Sequence, residues 1–256
     1  MALNSLIDLG MLYLARITPL FLMPSLLPLS KLPSTVKIVI SVSIALLLAV
    51  AMSIPPGFKS LMGLDFMLAL GQEFFIGVGL IFGIQVTFSA ILFAGKIVDL
   101  QLGFGVASVL DPMTHNQEAL IGSLLNSLFV VIFFILDMHH LLLKGIAATF
   151  HNFPVGSQFI APSSSQLMTF FSSQFVLGLL VVMPVMLGLF LLDVMIAFTS
   201  RTMPQVNVYF VSLPLKIFVG IFILSISLKY MAGYIENVFT QSIQTWFASF
   251  EVFHNV

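Results

Sequence analysis

The side chains best suited to chemistry stand together in the short sequence Asp137-Met138-His139-His140. Imidazole and carboxylate groups are ordinary ligands of zinc-type ions. Adjacent residues of a helix point about 100° apart, however, so His139 and His140 are not expected to reach one ion easily. Neither a Glu-x-x-His pattern nor a second histidine-rich stretch accompanies them. The sequence therefore favours an interfacial helix segment whose imidazoles bond to backbone or water, and predicts no metal site.

Other sequence patterns that carry catalysis are missing from the chain. It has no Gly-x-x-x-x-Gly-Lys-Ser/Thr phosphate loop, no Gly-x-Ser-x-Gly nucleophile turn and no cysteine. Nucleotide hydrolysis by a phosphate loop, serine hydrolysis of that type and thiol chemistry are therefore excluded. We expect a protein that is not an enzyme and that uses no cofactor.

Charged residues are rare, but several lie at or inside the ends of apolar stretches. A charge in hydrocarbon is costly, so these side chains are expected to face protein or a water-filled space. The residues assigned a buried or assembly role are Arg16, Glu73, Asp99, Asp193, Arg201 and Lys216, with the amides Gln205 and Asn207. In a lone chain in lipid, Glu73, Asp193, Arg201 and Lys216 are expected to be unpaired. The sequence therefore predicts a chain that is stable only in a complex.

These charges belong to an unusually apolar chain. Of its 256 residues, 59% are hydrophobic and 7% are charged, against roughly 25% charged in ordinary soluble domains. A soluble globule of this size could not bury so much apolar surface, so we expect an all-α membrane protein. The net charge is −1 and no basic run is present, so nucleic acid is not an expected partner.

The apolar runs predict about six long helices, some of them broken. Uncharged runs that approach or exceed the roughly 20 residues of a membrane span cover residues 38–58, 74–95, 119–136 and 166–192. Two more runs, residues 9–29 and 206–228, contain prolines and a charge, so they are expected to be kinked or split. The tail, residues 229–253, has the mixed polarity of an amphipathic helix with one face on protein. A Pro- and Ser-rich turn at residues 152–165 divides four helices from two.

Between two apolar runs lies the sequence GFGVASVLDPMTHNQEA, residues 103–119, here called the central segment. Gly103 and Gly105 give its backbone freedom, and Asp111-Pro112 predicts a turn. Its apolar side chains include Phe104, Val106, Val109, Leu110 and Met113. These features fit two hypotheses equally, a tight turn between helices or a deformable apolar seal.

Two further patterns concern how helices pack and end. Gly79-Leu-Ile-Phe-Gly83 is a small-xxx-small pattern that lets another helix approach closely. That helix could belong to the same chain or to another subunit, and the two hypotheses are evenly balanced. In RTMPQVNV, residues 201–208, Pro204 is expected to break a helix, while Gln205 and Asn207 bond the freed backbone groups.

Several of these stretches together resemble the FliR/SctT family of type III export-gate proteins. The specific marks in the centre of the chain are Glu73, Gly77, Gly83, Ala94-Gly95, Asp99-x-Gln101-x-Gly103-Phe104 and Asp111-Pro112. Further marks are Pro204-Gln205-x-Asn207-Val208 and the N-terminal piece RITPLFLMPSLLPLSKLPS. Their order and spacing cover nearly the whole chain. The chain departs from the family pattern at Asp137-Met138-His139-His140 and at Glu118-Ala119-Leu120, which concerns local helix starts.

The resemblance implies a fold that hydropathy does not reveal. Residues 1–160 would be a helical part similar to the partner protein FliP, with a plug loop at residues 104–118 that points into a channel. Residues 161–256 would be a helical hairpin similar to FliQ. The central segment would then act as the apolar seal rather than as a simple turn.

The resemblance also implies a function. Such a protein is a non-enzymatic subunit of the flagellar export gate, through which unfolded flagellar proteins cross the inner membrane. The implied partners are FliP-like and FliQ-like subunits in one hetero-oligomeric ring, an FlhB-like subunit, flagellar rod proteins and transient unfolded substrates. The implied location is the bacterial inner membrane at the flagellar basal body, with a protrusion to the periplasmic side. The alternatives are the equivalent subunit of a virulence secretion system and a small-molecule or ion transporter.

Overall fold

The computed structural model describes residues 2–22, 33–51, 63–104, 120–155, 163–203 and 208–251. Within these ranges the chain forms helices and no strand, so the expectation of an all-α membrane protein is confirmed. The helices are α1 (Ala2–Leu22), α2 (Ser34–Ala51), α3 (Leu64–Leu102), α4 (Leu120–Ile135), α5 (Met138–Asn152), α6 (Ser164–Thr202) and α7 (Val208–Glu251). Five of them, not four, precede the Pro- and Ser-rich turn.

Three helices in the described part of the chain are long and apolar enough to cross a membrane. They are α3, α6 and the Phe210–Tyr230 part of α7, with a fourth span if α4 and α5 are counted as one broken span. α3 and α6 have 39 residues each, which corresponds to a length of roughly 58 Å. A hydrocarbon core is roughly 30 Å thick. Both helices can therefore continue well beyond the lipid.

The three membrane-length helices differ in how much of their surface this chain covers. In the most apolar stretch of α3, 61% of the residues are buried within this chain. The corresponding share is 28% for α6 and 17% for Phe210–Tyr230 of α7. Large exposed side chains on the latter two helices include Phe190, Phe198, Phe218 and Phe222. α6 and α7 thus keep wide apolar faces for lipid or for other proteins.

Prolines interrupt these helices less than the sequence suggested. α7 runs from Val208 through Pro214 and Lys216 to Glu251, so the expected split is wrong and the tail continues the same helix. Proline removes one backbone hydrogen bond from a helix, and membrane helices tolerate that loss where neighbouring groups compensate. α1 likewise continues through Pro19 to Leu22, while the later prolines of that run lie outside the described residues.

One break was not predicted from the sequence. α4 ends at Ile135 and α5 begins at Met138, and Asp137 between them has a left-handed backbone with φ of 54°. Aspartate is one of the few residue types that accept this conformation. The run at residues 119–136 and the helix after it are therefore separate elements, which accounts for seven helices in the described ranges where about six were expected.

The chain divides into two compact units, and each unit combines separate stretches of sequence. The first consists of Met1–Val86, Asp137–Phe171 and Gln241–Val256, and the second of Thr87–Leu136 and Ser172–Thr240. α3, α6 and α7 each contribute residues to both units. The predicted division into a FliP-like part, residues 1–160, and a FliQ-like part, residues 161–256, is a statement about similarity to partner proteins. The two compact units do not test that similarity, so the division stays a prediction.

The core of the first unit is built around Trp246, the single tryptophan of the chain. Its indole N–H donates to the carbonyls of Gly79 (3.1 Å) and Leu80 (3.0 Å) of α3. A side chain at Gly83 would collide with the indole ring. The other buried members of this cluster are Leu80 itself, Ile76, Val86, Phe153 and Phe170. The surface between Gly79 and Gly83 is thus occupied by the end of α7 from the same chain.

Candidate functional site at the base of the central segment

The central segment starts where α3 ends. Gly103 follows the last helical residue, Leu102, with a positive φ of 87°, and its N–H donates to the carbonyl of Leu100 (3.2 Å). Glycine at such a position is a common way to stop a helix, because other residues are strained there. Gly103 therefore turns the chain out of α3, and Phe104 follows it half-buried.

Asp99 joins the two ends of the central segment. Its carboxylate is 4% exposed and accepts the backbone N–H groups of Ile121 (Oδ1, 2.9 Å) and Gly122 (Oδ2, 3.2 Å). These groups belong to the first turn of α4, where N–H donors lack partners within the helix and negative charge is favoured. A residue near the end of α3 thus caps the helix that follows the segment.

Glycine lets α3 and α4 touch beside this cap. A Cβ at Gly95 would lie 2.5 Å from the Cα of Gly122, so a larger residue would push the helices apart. Gly95 precedes Asp99 by one turn on the same face of α3. We call Gly95, Asp99, Ile121 and Gly122 the segment base. It holds the end of α3 beside the start of α4, on either side of the central segment.

Replacing Asp99 by asparagine should loosen the start of α4. The amide oxygen can still accept one N–H, but the second buried donor loses its acceptor, at a cost of about 1–3 kcal/mol. Hydrogen exchange at the Ile121 and Gly122 amides should become faster. Ser123→Ala is the matched control, since it removes only the exposed bond from Ser123 Oγ to the Leu120 carbonyl (3.0 Å). Unchanged exchange in the Asp99 variant would contradict the assigned cap.

A second polar centre, in the first compact unit, joins α1, α3 and α5. The Nε of Arg16 donates to Oε2 of Glu73 (2.6 Å), and the two side chains are 0% and 1% exposed. The terminal nitrogens of Arg16 donate to the backbone carbonyls of Thr149 and Phe153, each at 3.1 Å. Carbonyls at the end of α5 carry partial negative charge, which favours a cation there. Arg16 is therefore both paired and hydrogen-bonded in a dry environment.

Aromatic and small residues close this centre. The guanidinium of Arg16 lies 4.4 Å from the ring centroid of Phe150, whose ring meets that of Tyr13 edge-on at 4.6 Å. Tyr13 lies in α1, outside the helices that are long and apolar enough to span a membrane. Its pKa is raised above the ordinary value, chiefly because the phenol is buried; the charge of Arg16 opposes this shift and that of Glu73 adds to it. The phenol therefore stays neutral. A side chain at Gly77 would collide with the Arg16 carbonyl, so glycine lets α1 and α3 approach here.

The structure corrects the expectation that the helix charges lack partners within the chain. Glu73 is paired with Arg16, and Nζ of Lys216 on α7 lies 2.5 Å from Oδ1 of Asp193 on α6. Arg201, in the last turn of α6, is exposed. Glu73, Asp193 and Lys216 are therefore not unpaired in the single chain, and the expectation that their charges make a lone chain unstable is wrong.

Part of the predicted site lies outside the described residues. This applies to Gly105, Val106, Val109, Leu110, Asp111, Pro112 and Met113 of the central segment and to Gln205 and Asn207. α6 ends at Thr202 and α7 begins at Val208 on either side of the two amides. The roles assigned to all these residues stay predictions.

Some positioning residues were not identified from the sequence. In the second unit Thr87 Oγ1 donates to Oε1 of Gln174 (3.0 Å), and a Cβ at Gly178 would lie 2.8 Å from the Ala90 carbonyl oxygen. Both contacts join α3 to α6. No short motif marked them, because each depends on two residues that are distant in the chain.

Helices of membrane length, joined by buried polar contacts, define a helical integral membrane protein. The profile of the family described as "Bacterial export proteins, family 1" matches residues 7–242. Flagellar biosynthetic protein FliR of Bacillus subtilis (strain 168) is 30% identical over 249 residues, which cover 94% of this chain and 95% of the relative. FliR of Aquifex aeolicus (strain VF5) is 28% identical over 223 residues, 87% and 84% of the two chains.

A relative from another system is also similar. Yop proteins translocation protein T of Yersinia pestis is 33% identical over 154 residues, 59% of each chain. The chain therefore belongs to this family of bacterial export proteins, the FliR/SctT family, and the resemblance read from the sequence marks is confirmed. It is a membrane-embedded component of a bacterial export apparatus.

Proposed function

We propose that this chain is a non-enzymatic subunit of the flagellar type III export gate in the bacterial inner membrane. It forms part of the channel for unfolded flagellar proteins, and its plug loop, residues 104–118, helps to keep that channel closed. The observation that carries the proposal is the segment base, in which Asp99 and Gly95 hold the two ends of the central segment together. The similarity to FliR proteins along almost the whole chain supports the flagellar assignment.

The chemistry of the central segment suits a seal that opens and recloses. Its apolar side chains, Val106, Val109, Leu110 and Met113, exclude water and ions when they pack together. Valine, leucine and methionine contacts are not directional, and methionine adapts its shape readily. A passing polypeptide can therefore displace the loop while the segment base keeps α3 and α4 in place. No bond of the base has to break during export.

The apolar faces of α6 and α7 are the surfaces that we assign to partner subunits. Their most apolar stretches are only 28% and 17% buried by this chain, and large exposed apolar faces are typical of surfaces that contact other proteins or lipid. We propose FliP-like and FliQ-like subunits in one ring, with an FlhB-like subunit, rod proteins and transient unfolded substrates. In this assembly residues 1–160 take the place of a FliP-like subunit and residues 161–256 that of a FliQ-like hairpin. The protein protrudes to the periplasmic side of the inner membrane.

One observation favours a second candidate function. The 33% identity to Yop proteins translocation protein T spans 154 residues, so the equivalent role in a virulence secretion system is the alternative. A small-molecule transporter would instead need a polar binding site near the membrane midplane. The buried polar groups at the two centres described above contact one another or backbone, which leaves them little capacity to bind a solute.

Purification under mild conditions separates these functions. An affinity-tagged chain, extracted from its own host in detergent, should elute as a large hetero-oligomer that contains flagellar export subunits. The host without this chain should be non-motile, and motility should return with the wild-type chain. Elution as a monomer or small homo-oligomer would contradict the gate proposal. Partners from a virulence apparatus, in a host that remains motile, would contradict the flagellar assignment.

A further inference from the structure

The turn between α4 and α5 brings three metal-ligating side chains together. Oδ1 of Asp137 lies 3.3 Å from Nδ1 of His140 and 3.9 Å from Nε2 of His139. The two imidazole rings lie close together, with centroids 4.1 Å apart. One candidate ligand atom from each of the three residues lies within 4.8 Å of the others.

His139 and His140 can approach one point although adjacent residues leave a helix in different directions. The two residues present different ring nitrogens. His139 uses its far nitrogen, Nε2, and His140 its near nitrogen, Nδ1, so the two can converge on one point. Asp137 reaches the same point because its left-handed backbone, with φ of 54°, precedes the helix instead of continuing it.

The distances fit a small divalent ion. Zinc binds imidazole nitrogen and carboxylate oxygen at about 2.0–2.2 Å, which places tetrahedral ligands about 3.4 Å apart. The separation of Asp137 from His140 already has about this value, and that of Asp137 from His139 exceeds it by about 0.5 Å. The ligand nitrogens of His139 and His140 lie within 4.8 Å of each other and have to approach by at most about 1.4 Å. The side chains of Asp137 and His140 are 72% and 62% exposed, so they can move by that amount without disturbing packed neighbours.

We propose that Asp137, His139 and His140 bind one zinc-type divalent ion. Two imidazoles and one carboxylate favour zinc, nickel or copper over magnesium and calcium, which prefer oxygen ligands. Three protein ligands leave a fourth position open to water. The ion would fix the left-handed turn at Asp137 and so stabilise the start of α5, the helix whose last carbonyls bind Arg16.

Zinc binding to the assembled protein tests the site. The full chain is purified with its partner subunits through a tag without histidine, dialysed against micromolar Zn²⁺, and analysed by elemental mass spectrometry. The complex with Asp137→Asn and His140→Gln should hold one zinc ion fewer per copy of this chain. Asparagine also accepts a left-handed backbone, so this variant should fold. His151→Gln, which removes a histidine later in α5, is the matched control and should retain the ion.

Single substitutions and cobalt extend the test. His140→Gln alone should weaken zinc binding at least tenfold, and Co²⁺ in the wild-type complex should give visible absorption bands that this variant loses. Equal zinc content in the wild-type complex and the double variant would overturn the proposal. Equal loss of zinc in the His151→Gln control would also overturn it. If the double variant does not assemble, unchanged zinc affinity in the assembled His140→Gln complex decides against the site.

Discussion

Replacing Glu73 by glutamine is expected to lower the stability of the folded protein strongly. The change leaves the guanidinium of Arg16 buried without its carboxylate, and breaking one side of a buried ion pair costs about 3–5 kcal/mol. The free energy of unfolding of a whole domain is only about 5–15 kcal/mol. We expect a low yield of monodisperse protein in detergent and a clearly lower thermal unfolding midpoint.

The loss should come from the buried pair and not from the removal of an acid from α3. Asp65→Asn, the matched control, removes an exposed carboxylate from the first turn of the same helix and should leave the midpoint near the wild-type value. Arg16→Met with Glu73→Leu should recover part of the stability, because no uncompensated charge then remains. A Glu73→Gln protein as stable as the Asp65→Asn protein would show that this pair does not hold α1, α3 and α5 together.

The long helices could be predicted from the sequence, but their ends could not. The uncharged run at residues 74–95 lies within α3, which in fact extends from Leu64 to Leu102. The helix continues through Glu73 and Asp99 because each carboxylate has a partner in the folded chain. Hydropathy treats these charges as boundaries, since it contains no information about contacts with other helices. The split expected at Pro214 and Lys216 rested on the proline and the charge, and α7 is continuous there.

The members of the polar centres were easier to predict than their partners. Arg16, Glu73 and Asp99 stood out because a charge in an apolar helix needs compensation. What they bind is largely backbone: the carbonyls of Thr149 and Phe153, or the N–H groups at the start of α4. Backbone groups occur at every residue, so the residue types do not indicate which of them will be bound. Trp246 was overlooked although it is the single tryptophan, because its contact with α3 depends on the fold.

Deleting residues 106–113 is expected to open the closed channel without preventing assembly. The deletion removes the apolar side chains of the central segment and leaves the segment base intact. Asp99 already holds the start of α4 beside the end of α3, so the shortened connection has little distance to cover. A water-filled path then replaces an apolar constriction, and ions can pass. Export can continue, because removing a barrier does not remove the conduit.

A graded variant separates the seal from a general defect. Val109→Gly with Leu110→Gly keeps the length of the segment and part of its apolar surface, so it should leak less than the deletion. Asp99→Asn leaves the segment sequence unchanged and alters only its base, so its main effect should be on the stability of α4. Leakage of all three variants to the same extent would indicate a general defect of assembly instead of a lost seal.

Ion conductance across membranes that contain the assembled complex tests the central claim most directly. Complexes with the wild-type central segment and with the shortened segment are compared at equal amounts of assembled particle and without export substrate. We expect the wild-type membrane to remain tight and the membrane with the 106–113 deletion to conduct ions or admit small solutes. A deletion complex that assembles normally and stays as tight as the wild type would show that the central segment is only a turn and that the channel is closed elsewhere.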